Sequence, residues 1–308
     1  MAGQPAALER ILGDRDGVAA AAARIAGRRV LLVGTGTSWH AANQGAWLLR
    51  AAGLEAWAVP AQDAAAANGP APASADALIL LSHRGTKRFT SEVLARAREH
   101  GVATVVISRR GNPQADLDTV PNETSSAFTA SHLGALLRLA QLAQELGAAL
   151  GRLEDVPAAV ERELVAAPVG VAPPPRLLAY AGSGINAWTA AEGALKVAET
   201  ALVASAGLAT ENMLHGPAVA LGADDALVCL DGGEGSQRLR ELGEVARAHG
   251  ASVHPIARPE LGELLSIFPL TVAVQRIAAE SAEKLGTDPD RFGRELPGRE
   301  AAWSAIAL

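Results

Sequence analysis

The chain has 308 residues, 49% of them hydrophobic, with a formal net charge of −6 and a pI near 5.7. That is enough apolar content for a substantial core and enough length for two ordinary domains, while the acidic balance gives no general electrostatic reason to bind nucleic acid or an anionic membrane. The single cysteine, Cys229, excludes an intrachain disulfide; with no secretory pattern at the N-terminus and no uncharged apolar stretch of spanning length, a cytoplasmic protein is expected.

Residues 1 to 28 read as one alanine-rich helix. Arg29-Val-Leu-Leu-Val-Gly34 then reads as a strand entering a glycine turn, Gly34-Thr-Gly36, and a helix. The Ala/Pro-rich stretch Ala61 to Ala75 reads as an irregular surface loop. An apolar strand, Ala77 to Leu81, leads into a polar loop and a helix ending at His100-Gly101, where glycine fits the left-handed helix stop. A strand follows from Val102 to Ile107, then an apolar helix from Ala127 to Leu146.

After a junction near Gly151 and the stiff run Pro173-Pro-Pro175, the pattern returns. Arg176-Leu-Leu-Ala-Tyr-Ala-Gly182-Ser-Gly184 matches the first strand and turn with the glycines 148 positions on. Ala226 to Leu230 and Ala248-His-Gly250 match Ala77 to Leu81 and Glu99-His-Gly101 at an offset of 149. A strand at Ser252 to Ile256 and an apolar helix at Leu270 to Leu285 complete the second half. Alternating βα units imply parallel sheets. The expected fold is α/β, with two tandem domains, 1–150 and 151–308, each a doubly wound parallel sheet flanked by helices. The apolar helices offer more apolar surface than two modest sheets readily cover, which predicts a homodimer.

The halves differ where chemistry would lie. The first has two loops rich in hydroxyls, amides and cations, Gly36-Thr37-Ser38 and Ser82-His83-Arg84-Gly85-Thr86-Lys87. Unpaired N–H groups and the positive dipole end at helix N-termini suit such loops to a phosphate. The matching second-half loop, Asp231-Gly-Gly-Glu234, would repel one. Trp39 stands where a dinucleotide fingerprint needs its third glycine, which argues against a nucleotide. In the second half, Glu192, Lys196 and Glu199 follow the i, i+4, i+7 spacing of one helix face, and His215 lies 16 positions beyond Glu199 in His215-Gly-Pro217. A carboxylate and an imidazole on one segment suit proton transfer at carbon. Blander readings stand beside these: Ser38 as a helix cap, the charged stripe as a solvated ion-pair ladder, His215 as a satisfied turn histidine.

The order of Thr37-Ser38, Ser82, Glu123 with Thr129 six later, Glu192-Gly-Ala-Leu-Lys196-Val-Ala-Glu199 and His215-Gly-Pro217 resembles tandem sugar isomerase (SIS) domain proteins, in particular the isomerase half of glucosamine-6-phosphate synthase. The resemblance runs from about Arg29 to Arg294. It implies that Thr37, Ser38 and Ser82 hold a sugar phosphate, that Glu199 moves a proton between C1 and C2, that His215 opens the sugar ring and that Lys196 steadies the enediolate. Gly36, Ser126, Thr129 and Glu192 are further candidate substrate contacts, and the loop residues His83, Arg84, Thr86 and Lys87 are candidates for the phosphate. No metal or cofactor is called for.

Departures from the pattern matter. The family loop after Ser82 usually reads Gln-Ser-Gly-Glu-Thr, and its Ser-Thr-Lys is Phe128-Thr129-Ala130 here. The synthase's imine-forming lysine is replaced by Leu296-Pro297-Gly298-Arg299, and an arginine cannot do that chemistry at neutral pH. No glutaminase domain or cysteine near Met1 is present, so glutamine-dependent synthesis is not expected. The expectation is a phosphosugar isomerase or isomerising aminosugar-phosphate deaminase acting on a hexose or hexosamine 6-phosphate; the alternative is a non-catalytic sugar-phosphate-binding regulator acting through a protein partner.

Overall fold

The computed structural model describes residues 1–66 and 75–306. In chain order the elements are α1 (Gln4–Gly13), α2 (Asp16–Ile25), β1 (Val30–Gly34), α3 (Thr37–Ala51), β2 (Ala56–Pro60), α4 (Ala61–Ala65), β3 (Ala77–Leu81), α5 (Arg88–Glu99), β4 (Ala103–Ser108), β5 (Leu117–Asp118) and α6 (Ala130–Glu145). Then come α7 (Val156–Val165), β6 (Leu177–Gly182), α8 (Asn186–Thr200), β7 (Ser205–Ala209), α9 (Thr210–Leu214), β8 (Asp225–Asp231), α10 (Ser236–Ala248), β9 (Ser252–Ala257), α11 (Ile267–Leu285) and α12 (Arg299–Ser304). Two compact units result: Met1–Thr124 with Phe128–Ala158, and Ser125–Ala127 with Ala159–Leu308.

Each unit is built on one parallel sheet, ordered β2-β1-β3-β4-β5 in the first and β7-β6-β8-β9 in the second. The fold is α/β with helices flanking both sheets, as the alternating pattern implied. In the first unit Leu31, Leu78 and Leu80 pack with Val93 and Leu94 of α5 and Ala61 and Ala64 of α4. Leu32, pointing to the opposite face, meets α3 and α6 at Gly45, where an added methyl would sit 2.8 Å from Leu139 and 2.9 Å from Leu32. In the second unit Tyr180 and Val228 pack with Leu270 and Val274 of α11, and Ala179 and Leu227 with Leu239 and Leu242 of α10.

The duplicated glycine turns do the same work in both units. A Cβ on Gly34 would lie 2.4 Å from the Ser38 carbonyl, and one on Gly182 would lie 2.2 Å from the Asn186 oxygen. The helix therefore starts directly against the strand end, at the carboxyl edge where open α/β sheets carry their ligands.

Several expectations need correction. Residues 1 to 28 form two helices, because the chain turns extended at Asp14 after Gly13. The Ala61 to Ala75 stretch opens with α4 instead of a loop, and residues 67–74 lie outside the described residues. Edge strands β2 and β7 escaped the apolar pattern because they are short and largely half-buried. Ser38 is not a cap: it lies inside the first turn of α3, and Gly36 holds the cap position. The surplus apolar surface behind the dimer expectation is missing from α6 and α11, whose leucines are all buried within the single chain, except Leu285 at the very end of α11. No described helix is long and apolar enough to cross a membrane.

Candidate functional site

At the carboxyl edge of the first sheet, a pocket is lined by Thr37 and Ser38 of the first turn of α3, Ser82 and His83 after β3, Ser108 and Thr119, and Phe128, Ser131 and His132 at the start of α6. Four sequence-predicted residues, Thr37, Ser38, Ser82 and His83, thus line one pocket. Gly36 stands just outside at the α3 cap, exposed. Ser131 and His132, in the first turn of α6, went unread in the sequence.

The loop from Ser82 is held rigidly. Ser82 Oγ accepts the Gly85 N–H at 3.2 Å, leaving its own proton to donate. Ser108 Oγ bonds the Ser82 carbonyl at 2.7 Å and receives Asn112 Nδ2 at 2.7 Å. Thr119 Oγ1 donates to the Ser108 carbonyl at 3.0 Å. The loop's cations are not among the lining residues: Arg84 is exposed with its guanidinium 5.4 Å from the Phe128 ring centre, Thr86 is exposed, and Lys87 caps α5, its carbonyl accepting the Thr90 hydroxyl.

Glu123 and Thr129 form a unit of their own. The Glu123 carboxylate accepts the N–H groups of Thr129, Ala130 and Ser131 at 3.2, 3.1 and 2.9 Å, so it occupies the positive end of α6. Burial pushes its pKa up, but the bonds from Ser131, Thr129 and Ala130 outweigh that and hold it below the usual carboxylate range. The Thr129 hydroxyl donates to the same carboxylate at 3.3 Å, and Ser126 falls in the short segment that groups with the second unit.

In the second unit the charged stripe of α8 is buried, not solvated. Lys196 is 2% exposed, its Nζ 2.7 Å from Glu199 Oε2 and 3.5 Å from Glu192 Oε1. The Glu192 side chain is fully enclosed and that of Glu199 is 24% exposed. Burial alone would lower the Lys196 pKa, yet the charges of Glu192 and Glu199 prevail and raise it, so the ammonium persists. Two carboxylates share one cation, and only that of Glu199 is reached by solvent.

His215 follows α9 as its cap and is exposed, with Nε2 3.5 Å from Glu211 Oε2. Glu211 is fixed in turn by Arg238 Nε at 2.5 Å. Cys229 is buried, which pushes its thiol up to about 12.

No family model matches the chain. The fold is that of SIS-domain phosphosugar isomerases: the structure superposes on glucosamine-6-phosphate deaminase from Thermotoga maritima with a TM-score of 0.74 at 19% identity, covering 92% of this chain and 96% of that one. Tagatose-6-phosphate ketose/aldose isomerase from Escherichia coli gives 0.73 at 20% identity, with coverages of 94% and 93%. In sequence the chain is similar to glutamine–fructose-6-phosphate aminotransferase [isomerizing] of Thermococcus kodakarensis, 26% identical over 332 residues that span 94% of this chain and 55% of that protein. The chain spans about half the length of the curated relatives it matches.

Proposed function

We propose that the protein is a phosphosugar enzyme that shifts a proton between C1 and C2 of a hexose or hexosamine 6-phosphate, as an aldose–ketose isomerase or an isomerising deaminase. The observation that carries this reading is the buried Lys196 ammonium 2.7 Å from the accessible Glu199 carboxylate. A carboxylate base abstracts a proton next to a carbonyl most readily where a fixed cation offsets the charge developing on oxygen. Glu192, fully enclosed, fixes Lys196 on its other side.

The hydroxyl-lined pocket of the first unit takes the phosphate in this reading, with Thr37, Ser38 and Ser82 as donors. His215 opens the ring, oriented by Glu211. Dimerisation enters through the resemblance alone, and a neighbouring subunit would then be a source of His215. The names of the similar proteins support the substrate class, since each acts on a sugar 6-phosphate.

The test is incubation with a panel of hexose and hexosamine 6-phosphates, following ketose and ammonia. Turnover in D₂O is expected to place deuterium at C2 of the aldose form. Phosphosugar binding with neither turnover nor exchange would replace this reading with that of a non-catalytic phosphosugar-binding regulator.

A further inference from the structure

Behind the first-unit pocket runs a chain of hydrogen bonds that ends on the N-terminal helix. The loop after β3 hangs on Ser108, whose Oγ donates to the Ser82 carbonyl at 2.7 Å. Ser108 hangs in turn on Thr119, which donates to the Ser108 carbonyl through its backbone N–H at 2.8 Å and its hydroxyl at 3.0 Å. Both residues are buried and line the pocket. The next link leaves the sheet: the Thr119 carbonyl accepts Arg10 Nη2 from α1, and Arg10 Nη1 meets Asp118 Oδ1 at 3.2 Å. Arg10 itself does not line the pocket.

The strand these residues follow has little hold of its own. β5 has two residues, stands last in its sheet, and pairs with β4 only through Leu117 and Asp118. What packs outside it therefore decides where Thr119 sits. Asp118 is shared between Arg10 and the buried Arg138, whose Nη2 also reaches Asp14 Oδ2 at 2.6 Å, at the corner between α1 and α2. Packing joins the same parts: a methyl added to Gly134 of α6 would lie 3.0 Å from Thr119 Cβ and 3.1 Å from Ile11 Cδ1. We propose that Arg10 is a positioning residue of the pocket: by holding the Thr119 carbonyl and Asp118 together it fixes Ser108, and with it the loop that presents Ser82. The inference rests on the phosphosugar reading and adds to it that the seating of α1, outside the pocket, sets the affinity for the sugar phosphate.

Calorimetric titration of the full chain with inorganic phosphate and with fructose 6-phosphate, well below the melting temperature of each protein, tests it through two variants. Arg10→Met keeps the apolar stem and removes the bonds to Thr119 and Asp118; affinity is expected to fall about three- to thirtyfold, the range for a residue that acts on a site without touching its ligand. Arg24→Met is the matched control. It breaks an ion pair of similar exposure to the same segment, Arg24 Nη2 with Asp116 Oδ1 at 2.8 Å, but Asp116 bonds Val106, which does not line the pocket, so affinity is expected to stay at the wild-type value. Amide hydrogen exchange supplies a readout without ligand: the N–H groups of Ser82 and Gly85, bonded to the Ile107 carbonyl and the Ser82 hydroxyl, are expected to exchange faster in Arg10→Met than in Arg24→Met. Equal exchange in the two variants overturns the proposal, and so does an Arg10→Met affinity equal to that of wild type or an affinity loss of the same size in both variants. Failure of wild type to bind either probe would overturn the phosphosugar reading instead, and the exchange comparison would then judge the positioning of the Ser82 loop by itself.

Discussion

The two units share a plan and divide the chemistry. Gly34 and Gly182 impose the same tight entry into the following helix, but the helices then diverge at matched positions 148 apart: Gln44, Leu48 and Ala51 in α3 stand where α8 carries Glu192, Lys196 and Glu199. The loops diverge in the opposite sense. After β3 the first unit presents Ser82 and His83 to a pocket. After β8 the second unit consumes its own donors: Asp231 Oδ1 accepts the Gly233 N–H at 2.8 Å, Glu263 Oε2 accepts the Glu234 N–H at 3.0 Å, and Glu263 Oε1 accepts Asn186 Nδ2 at 3.1 Å. Side-chain carboxylates sit where the first unit leaves room for an anion. The repeated backbone carries an open, hydroxyl-lined pocket at one edge and a charged stripe on the helix of the other.

The largest effect expected from this division falls on turnover. Glu199→Gln keeps the shape and most hydrogen bonds but removes the base, so turnover and deuterium uptake should fall by about 10² or more while phosphosugar affinity hardly changes. Joint loss of binding and activity would mean that Glu199 serves only to pair Lys196. The next effect is on stability. Lys196→Met imitates Leu48 of the first unit but strands Glu192 in the interior, and removing one partner of a buried pair costs about 3–5 kcal/mol. Urea denaturation that finds the variant as stable as wild type would show the stripe to be solvated after all.

The shared plan is tested by Gly34→Ala and Gly182→Ala. Both added methyls meet backbone atoms that cannot swing away, so each should destabilise by at least about 1–3 kcal/mol. A penalty at one glycine only, measured by thermal melts, would break the equivalence of the two turns.

The repeat was legible because its landmarks are local: apolar strands, glycine turns and His-Gly helix ends each declare themselves within a few residues. The α8 stripe was legible as a face, since 3.6-residue periodicity fixes direction, but periodicity says nothing about depth, and the burial of Lys196 comes from packing around α8. Glu123 was visible only as a spacing to Thr129; that its carboxylate would close the α6 N-terminus depended on the loop between them. Glu263 was invisible altogether, since it reaches the Asp231 loop from a segment roughly thirty residues on and no local rule points there. The cations of the Ser82 loop show the same limit: composition shows charge, while the position of Arg84, over the Phe128 ring, depends on a residue more than forty positions on.

The smallest effect separates the two loops by the sign of their response to acid. In the first unit the folded state depresses the His83 pKa through burial. Between the ordinary imidazole value, about 6.5, and that lower folded value, the unfolded chain binds more protons, so the stability His83 contributes is present above about pH 6.5 and is lost as pH falls. In the second unit burial, followed by the neighbouring Glu234 and Asp231 charges against two opposing hydrogen bonds, raises the Glu263 pKa. There the folded state binds more protons, so stability is gained as pH falls through the folded pKa toward the ordinary carboxylate range. His254, depressed by burial, follows the direction of His83, so the comparison must be made by difference. Subtracting the stability–pH curve of His83→Gln from that of wild type should leave a loss on the acid side of pH 6.5, and the same subtraction for Glu263→Gln should leave a gain at lower pH. Curves of one sign for both variants would mean that the two loops do not differ in the way their hydrogen bonds indicate.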